Sequence, residues 1–298
     1  MRRLWYNFAM KKLSSQQMRR GFTLIELLVV ISIIGMLASV VLVALQGARQ
    51  KAVVGASIEF AATNYHSIGD SIVGLWNFND CTASAGATAD MSGNGNALSY
   101  TANSCSTDSF TSGTSLVAAA GSSKYASKTS GLTGSFSLGS HTISMWFKKT
   151  TNGAWGNNDA ILDVRTTPGN FIVAHIAFVS NSLWIGHYDD TTNLAYAPIP
   201  GNLSPSDGLW HQITYSWDGS KDTLYIDGKL IGSYSQTGYV VGTGATLSSV
   251  IVGADSGSGG TFNGLIDDVY IYGRSLTQAE ASALYASQLP SHTIADIQ

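Results

Sequence analysis

The sequence predicts a mainly β protein: a long amino-terminal transmembrane α-helix, then an antiparallel β-sandwich closed by a short carboxy-terminal helix. Three observations carry that prediction. A run of nineteen uncharged, mostly apolar residues (27–45) follows a basic leader. Beyond residue 71 the chain breaks into short segments of alternating polarity, divided by Gly, Asn, Asp and Ser. Only 12% of the 298 residues are charged, against an ordinary ~25%, and 32 glycines suit a turn-rich protein displayed outside a cell.

The helix comes first. With residues 22–25 the apolar run is long enough to cross a hydrocarbon core of ~30 Å. Six of the sixteen basic residues (Arg2, Arg3, Lys11, Lys12, Arg19 and Arg20) precede Gly21, and no acidic residue does. The leader therefore stays inside and the remainder faces outward. An ordinary secretory signal places its small residues after the apolar run; here Gly21 stands before it. The pattern continues through QGARQKAVVGASIEFAATNYHS, with Val53, Ala56 and Phe60 at helical spacing. A helix over 22–68 would be on the order of 65–70 Å long, with Gly35 and Ser39 permitting close helix approach. Residues 69–73 read as a joint, 74–290 as the β domain and 291–298 as a tail. Met10 is a second candidate start. Without the leader, ten basic residues face nineteen acidic ones, a net −9. That balance argues against nucleic acid as a partner, since phosphate binding needs a basic patch.

The strands follow. HTISMWFKK (141–149) alternates Ile143, Met145 and Phe147 against Thr142, Ser144 and Trp146, the period of a half-buried strand. LWHQITYSW (209–217) and SSVIVGA (248–254) read alike. DTLYIDGKLIGSY (222–234) is a hairpin whose Asp227-Gly228 supplies the positive φ angles of a tight primed turn. Ten or more such strands make two packed antiparallel sheets. Thr277 and Glu280 form a capping box ahead of ASALYASQ, the terminal helix.

Candidate chemistry is sparse. The two cysteines, Cys81 and Cys105, lie outside the cytoplasm in this topology, where a disulfide is expected; two free thiols are the alternative. Asp90, Ser92, Asn94 and Asn96 alternate oxygen-bearing side chains around Gly93 and Gly95, a pattern that suits Ca²⁺. The twelfth position is Thr101, so a carboxylate must come from elsewhere, and Asp80 is one candidate. The alternative is an Asx-rich turn satisfied by its own backbone. The six histidines (66, 141, 175, 187, 211 and 292) show no zinc spacing; His175 and His211 read as packing or surface residues. Retaining glycoside hydrolysis needs two carboxyl groups about 5 Å apart. The only glutamates, Glu26, Glu59 and Glu280, lie on no sheet face, and Asp189-Asp190 would point to opposite faces. The chain is thus read as no enzyme. Trp155, Trp184, Tyr188 and Tyr239 stand in or near polar, loop-like stretches where a glycan could stack.

Two resemblances add to this reading. RRGFTLIELLVVISIIG resembles the class III signal of type IV pilins and type II secretion pseudopilins over about 25 positions. The resemblance implies cleavage after Gly21 by a prepilin peptidase, methylation of the new terminus at Phe22, and assembly with other pilin or pseudopilin subunits from the inner membrane. Glu26 becomes the fifth mature residue. Its carboxylate would neutralise a neighbour's buried amine and set subunit register. LWNFND (75–80), DMSGNGNAL (90–98), HTISMWFKK, WHQITYSWDGSKDTLYIDGKLIGS and FNGLIDDVYIYGRSLTQAEASALY (262–285) together resemble the LamG-like jelly roll of the concanavalin A-like lectin/glucanase fold. That resemblance spans residues 72–288. It implies Asp267 or Asp268 as the missing Ca²⁺ carboxylate, and core positions for Trp146, Trp210 and Trp217. The combined expectation is a minor pilin displaying a jelly roll toward an extracellular glycan or protein. A secretion or uptake pseudopilin, or a membrane-tethered carbohydrate-binding module, is the alternative, and a glycan hydrolase a remoter one.

Overall fold

In the computed structural model, the described residues are 24–39, 69–110, 113–119, 123–133, 139–149, 157–167, 172–179, 182–188, 194–198, 207–235, 246–255 and 260–295. The chain divides into two compact units, residues 1–52 and 53–298.

In the first unit, residues 24–39 form helix α1. Its apolar side chains are exposed all round, from Val30 at 45% to Leu24 at 81%. Ser32 Oγ donates to the Leu28 carbonyl at 2.9 Å, and Ser39 Oγ to that of Met36 at 2.7 Å. Both hydroxyls are thereby satisfied inside the helix, as an apolar surrounding requires. Sixteen residues span about 24 Å, and among the described residues no helix is long and apolar enough to cross a membrane. The leader, Gly21, Phe22 and the expected continuation to residue 68 lie outside the described residues.

The second unit is a sandwich of two antiparallel sheets, each of eight strands among the described residues. In chain order the strands are β1 (Ile72–Trp76), β2 (Gly86–Thr88), β3 (Leu98–Tyr100), β4 (Cys105–Ser106), β5 (Ser115–Ala118), β6 (Ala126–Lys128), β7 (His141–Lys149) and β8 (Asn157–Thr167). Then follow β9 (Ile172–Val179), β10 (Ser182–Tyr188), β11 (Leu194–Pro198), β12 (Trp210–Trp217), β13 (Lys221–Ile226), β14 (Lys229–Ser235), β15 (Thr246–Val252) and β16 (Gly264–Tyr272). One sheet runs β14-β13-β12-β7-β16-β5-β4, with β1 also on β16; the other runs β11-β10-β9-β8-β15-β6-β3-β2. Helix α2 (Gln278–Ala295) closes the unit.

The alternation read from the sequence sorts the two faces. Ile143, Met145 and Phe147 of β7, with Ile213, Tyr215 and Trp217 of β12, enter the common core. Leu162, Val164, Ile176, Val250 and Val252 meet them from the second sheet. Most of the core is apolar, so its burial is chiefly favourable transfer; its polar tips are satisfied, Tyr215 OH donating to Asp222 Oδ1 at 2.7 Å and Trp76 Nε1 to the Asn96 carbonyl at 2.8 Å. On β16 the register slips between Asp267 and Tyr270, and Asp268 takes φ 47°. This bulge shifts the parity, so that Ile266, Val269 and Ile271 all face inward.

The opposite face of β7 and β12 carries Thr142, Ser144, Thr214 and Ser216, all buried. Ser144 Oγ and Thr214 Oγ1 share a hydrogen bond at 3.0 Å, and Thr142 Oγ1 donates to Ser216 Oγ at 3.1 Å. These small hydroxyls also receive the Leu276 N–H, at 2.9 and 3.0 Å, which seats the approach to α2. The capping box forms as expected: Thr277 N donates to Glu280 Oε2 at 2.8 Å, and Glu280 N to Thr277 Oγ1 at 3.3 Å. The helix runs past Pro290 to Ala295, into the segment read as a tail. A proline costs a helix one hydrogen bond without forbidding the next turn. At the hairpin, Asp227 and Gly228 have φ 51° and 69°. Gly228 is doubly constrained: an added Cβ would stand 3.0 Å from Tyr285, and its carbonyl accepts Ser282 Oγ at 2.7 Å.

Candidate functional site

The outer face of the first sheet is roofed by α2 at one end and opens beside it into a cleft of ≈ 400 Å³. Its lining comes from three places: Asp108, Ser109 and Phe110 before β5, Trp146 and Lys148 on β7 with Gly208, Leu209 and Trp210 at the head of β12, and Tyr285 and Leu289 on α2. Trp146 is 1% exposed and lies between two rings. Phe110 stacks on it at 3.3 Å between centroids, and Tyr285 at 5.5 Å. Trp210 meets Phe110 edge-on at 6.2 Å. Phe110 belongs to no strand; its N–H is anchored by the buried Asp267 Oδ2 at 2.9 Å. Trp146 Nε1 and Gln212 Nε2 both donate to Gln288 Oε1, at 2.7 and 2.6 Å, binding α2 to the sheet. Trp210 and Tyr285 are half-buried, so the cleft has a buried aromatic floor and partly open aromatic walls.

Its polar rim is one ion pair. Lys148 Nζ stands 2.7 Å from Asp108 Oδ2, and Trp210 Nε1 donates to Asp108 Oδ1 at 3.2 Å. Beside it, the Asp207–Leu209 wall is held by His211, whose Nε2 lies 3.1 Å from Asp207 Oδ1 and whose Nδ1 lies 2.8 Å from Asp227 Oδ2. Burial pulls the His211 pKa down, but hydrogen bonds to Asp227 and Asp207 and their charges outweigh it and raise the value above 6.5. At Asp207 burial works upward, while the Leu209 N–H and His211 prevail and lower the value below 3.8. The folded state thus holds the His211 proton more tightly than the unfolded chain. That stability is complete below pH ~6.5 and is lost as pH rises through the raised folded value. The Asp207 contribution is complete above its ordinary value and lost in acid. The melting temperature is therefore expected to fall as pH rises from ~6.5 through the raised value of His211, and His211→Gln to flatten that slope; an unchanged slope would remove the clamp.

A second charged cluster lies on the other sheet. Asp163, fully buried, is paired with Arg165 Nε at 2.7 Å and with His175 Nδ1 at 3.4 Å. Burial opposes its charge, yet hydrogen bonds from His175 and Arg165 hold its pKa below the ordinary value. His175 thus packs, buried, beside a charged carboxylate.

The sequence candidates fall as follows. Cys81 and Cys105 form the disulfide, with Cα atoms 5.8 Å apart and a sequence separation of 24; closing a loop of that many residues is worth about 3.5 kcal/mol. In the Asp/Asn loop the carboxylate oxygens are engaged by backbone donors. Asp90 Oδ1 accepts Leu75 N and Ser92 N, at 3.1 and 2.9 Å, and Oδ2 accepts Asn96 N at 3.0 Å. Asn94 Nδ2 donates to the Val73 carbonyl at 3.0 Å, and Asn96 exchanges two bonds with Thr133, at 2.7 and 2.9 Å. Asp80 accepts Thr88 Oγ1 and Ala89 N, at 2.6 and 2.7 Å. Asp267 holds Phe110, and its Oδ1 accepts the N–H of Asp268 at 2.9 Å. Among the described residues no three His, Cys, Asp or Glu side chains are grouped to hold a metal ion. The oxygens curl the loop by capturing backbone donors, which is the Asx-turn alternative. A calcium chelator is accordingly expected to leave the melting temperature unchanged; a drop would put a cation on these oxygens.

Of the glycan candidates, Trp155 and Tyr239 lie outside the described residues, as does the side chain of Tyr188. Trp184 is on β10, half-buried. Trp217 is in the core between the sheets as expected; Trp146 is buried too, but on the opposite face of its sheet, beneath α2, and Trp210 is only half-buried. The latter two face outward and form the cleft. The signal was present in the sequence, since Trp146 shares its parity with Thr142 and Ser144, and Trp210 with Gln212. Asp108, Phe110, Lys148 and Tyr285 were not singled out. The Phe110 contact spans 157 positions to Asp267, which no local pattern encodes. Glu280 is engaged in the cap and pairs with Arg274 at 2.8 Å; Glu59 lies outside the described residues.

Residues 120–282 match the concanavalin A-like lectin/glucanases superfamily, and residues 16–42 the prokaryotic N-terminal methylation motif. No curated protein matches the chain. Among solved structures it is similar to the binding domain of paraclostridial mosquitocidal protein 1, at 18% identity and TM-score 0.56, over 73% of this chain and 52% of that one. The botulinum neurotoxin type G receptor binding domain gives 15% identity and TM-score 0.53, over 73% and 51%. A Trypanosoma rangeli sialidase gives 14% identity and TM-score 0.55, over 75% and 34%. The chain spans about half the length of the two binding domains and about a third of the sialidase. At these identities the likeness is one of fold.

Proposed function

The chain belongs to the concanavalin A-like lectin/glucanases superfamily, and from that premise we propose that it is a minor pilin-type subunit displaying a carbohydrate-binding sandwich on a filament. The observation that carries the reading is the pairing of that domain with a methylation motif at residues 16–42. The motif implies processing by a prepilin peptidase, a membrane-anchored precursor and assembly with other pilins. Helix α1 supports it, because a helix apolar and exposed on every side needs lipid or other apolar helices around it. In the mature filament Glu26, in the first turn of that helix, neutralises a neighbouring subunit's terminal amine.

The sandwich serves adhesion. Binding domains of two toxins share its fold, and its outer face offers a ligand-sized cleft walled by aromatic rings. A bulky domain on every subunit would crowd a filament, which favours a minor position. Immunogold labelling of intact cells with antibody to the sandwich tests this. Sparse or tip-located label on filaments is expected. Dense, uniform label would make it a major subunit, and label absent from the surface would favour a pseudopilin of a secretion or uptake machine.

A further inference from the structure

We infer that the cleft between β7, β12 and α2 takes a neutral saccharide unit, and that the Asp108–Lys148 pair selects it against acidic sugars. The inference rests on the carbohydrate-binding reading above and adds the place and the class of ligand.

Shape comes first. The cleft, ≈ 400 Å³, lies at the small end of the ~300–1,000 Å³ typical of ligand pockets. Trp210 and Tyr285 are half-buried at its walls, and Leu209 at its lip is 63% exposed. A pyranose has one face of C–H groups, which gains dispersion and apolar burial against such rings.

Charge decides the class. Among the described residues the only ammonium lining the cleft, that of Lys148, is 2.7 Å from Asp108, whose side chain is 48% exposed. A ligand carboxylate must take Lys148 from Asp108 while sitting beside that carboxylate's charge. A ligand cation faces the mirror-image conflict, and an apolar side chain would bury the pair without compensation. Hydroxyl groups meet none of these costs. Asp108 keeps spare lone pairs and Lys148 spare donors after pairing, so adjacent hydroxyls can donate to one and accept from the other. The Trp210 indole N–H fixes Asp108 at 3.2 Å, linking the aromatic wall to the polar rim.

The test uses the full-length chain in detergent, applied to galactose-, glucose- and mannose-terminated oligosaccharides and to the same scaffolds capped with sialic acid. Neutral termini are expected to bind, and capping to weaken binding at least ~10-fold. Trp210→Ala should lose ~30-fold, with partial retention in Trp210→Phe. Asp108→Asn releases the Lys148 ammonium and should shift preference toward the sialylated series. Circular dichroism and melting of each variant separate lost binding from lost fold. Neutral binding indifferent to Trp210→Ala and Asp108→Asn would overturn the site while leaving the lectin reading intact. Preference of the parent for sialylated termini, sensitive to Trp210, would overturn the class alone. Absence of saccharide binding in every series would overturn both.

Discussion

Replacing Trp146 by alanine is expected to lower the unfolding free energy of the sandwich by on the order of 3–5 kcal/mol. The ring is 1% exposed, stacks on Phe110 and Tyr285 and donates to Gln288 at 2.7 Å. Its removal opens a void between sheet and helix and strips α2 of its main contact with β7. Urea denaturation followed by far-UV circular dichroism measures the loss. Trp146→Phe should recover much of the packing without the indole N–H. A loss below ~1 kcal/mol for the alanine variant would mean that α2 is docked by other contacts, since a collapsed site rarely costs so little. Trp210→Ala should cost clearly less, because Trp210 is only half-buried. The two tryptophans thereby separate what holds the cleft together from what the cleft does.

The second large effect concerns assembly. Glu26→Ala is expected to abolish incorporation of the chain into filaments while the amount of folded protein in the membrane stays the same. Within the proposed filament, the carboxylate offsets a buried amine of a neighbouring subunit; without it that amine remains an unpaired charge in low dielectric. Glu26→Gln keeps the shape and loses the charge, so it should fail as well. Incorporation of Glu26→Gln at the parent level would limit the residue's role to shape, and normal incorporation of both variants would remove the residue from assembly. Neither change reaches the sandwich core, which is built from residue 73 onward, so its melting temperature should not move.

Much of the sandwich was legible because its strands report their faces by parity. In β7 the inward set Ile143, Met145 and Phe147, the Asp227-Gly228 turn with its two positive φ angles, and the Thr277–Glu280 cap are local patterns with local causes. The cleft was not legible, for two reasons. Trp146 and Trp210 were assigned to the core from resemblance, although their parity places them with Thr142, Ser144 and Gln212 on the outer face. A tryptophan can be buried on that face when a helix covers it, which α2 does. Phe110 and Asp108 come from a connection outside any strand, and their partners, Trp146, Lys148, Trp210 and Asp267, are distant in sequence. The Asp90–Asn96 loop shows the converse limit. Spacing reveals that oxygens alternate, but only the structure reveals that they receive backbone N–H groups. The cluster of Asp163, Arg165 and His175 was likewise hidden, because the pairing of β8 with β9 creates it.

The central claim is that this chain leaves the membrane as a processed, pilin-type subunit carrying a saccharide-binding sandwich. Mass spectrometry of the amino-terminal peptide, from sheared surface filaments and from washed membranes, tests it most directly. The account predicts a chain beginning at an N-methylated Phe22 in the sheared fraction, together with peptides from the sandwich. An intact leader in both fractions would contradict it.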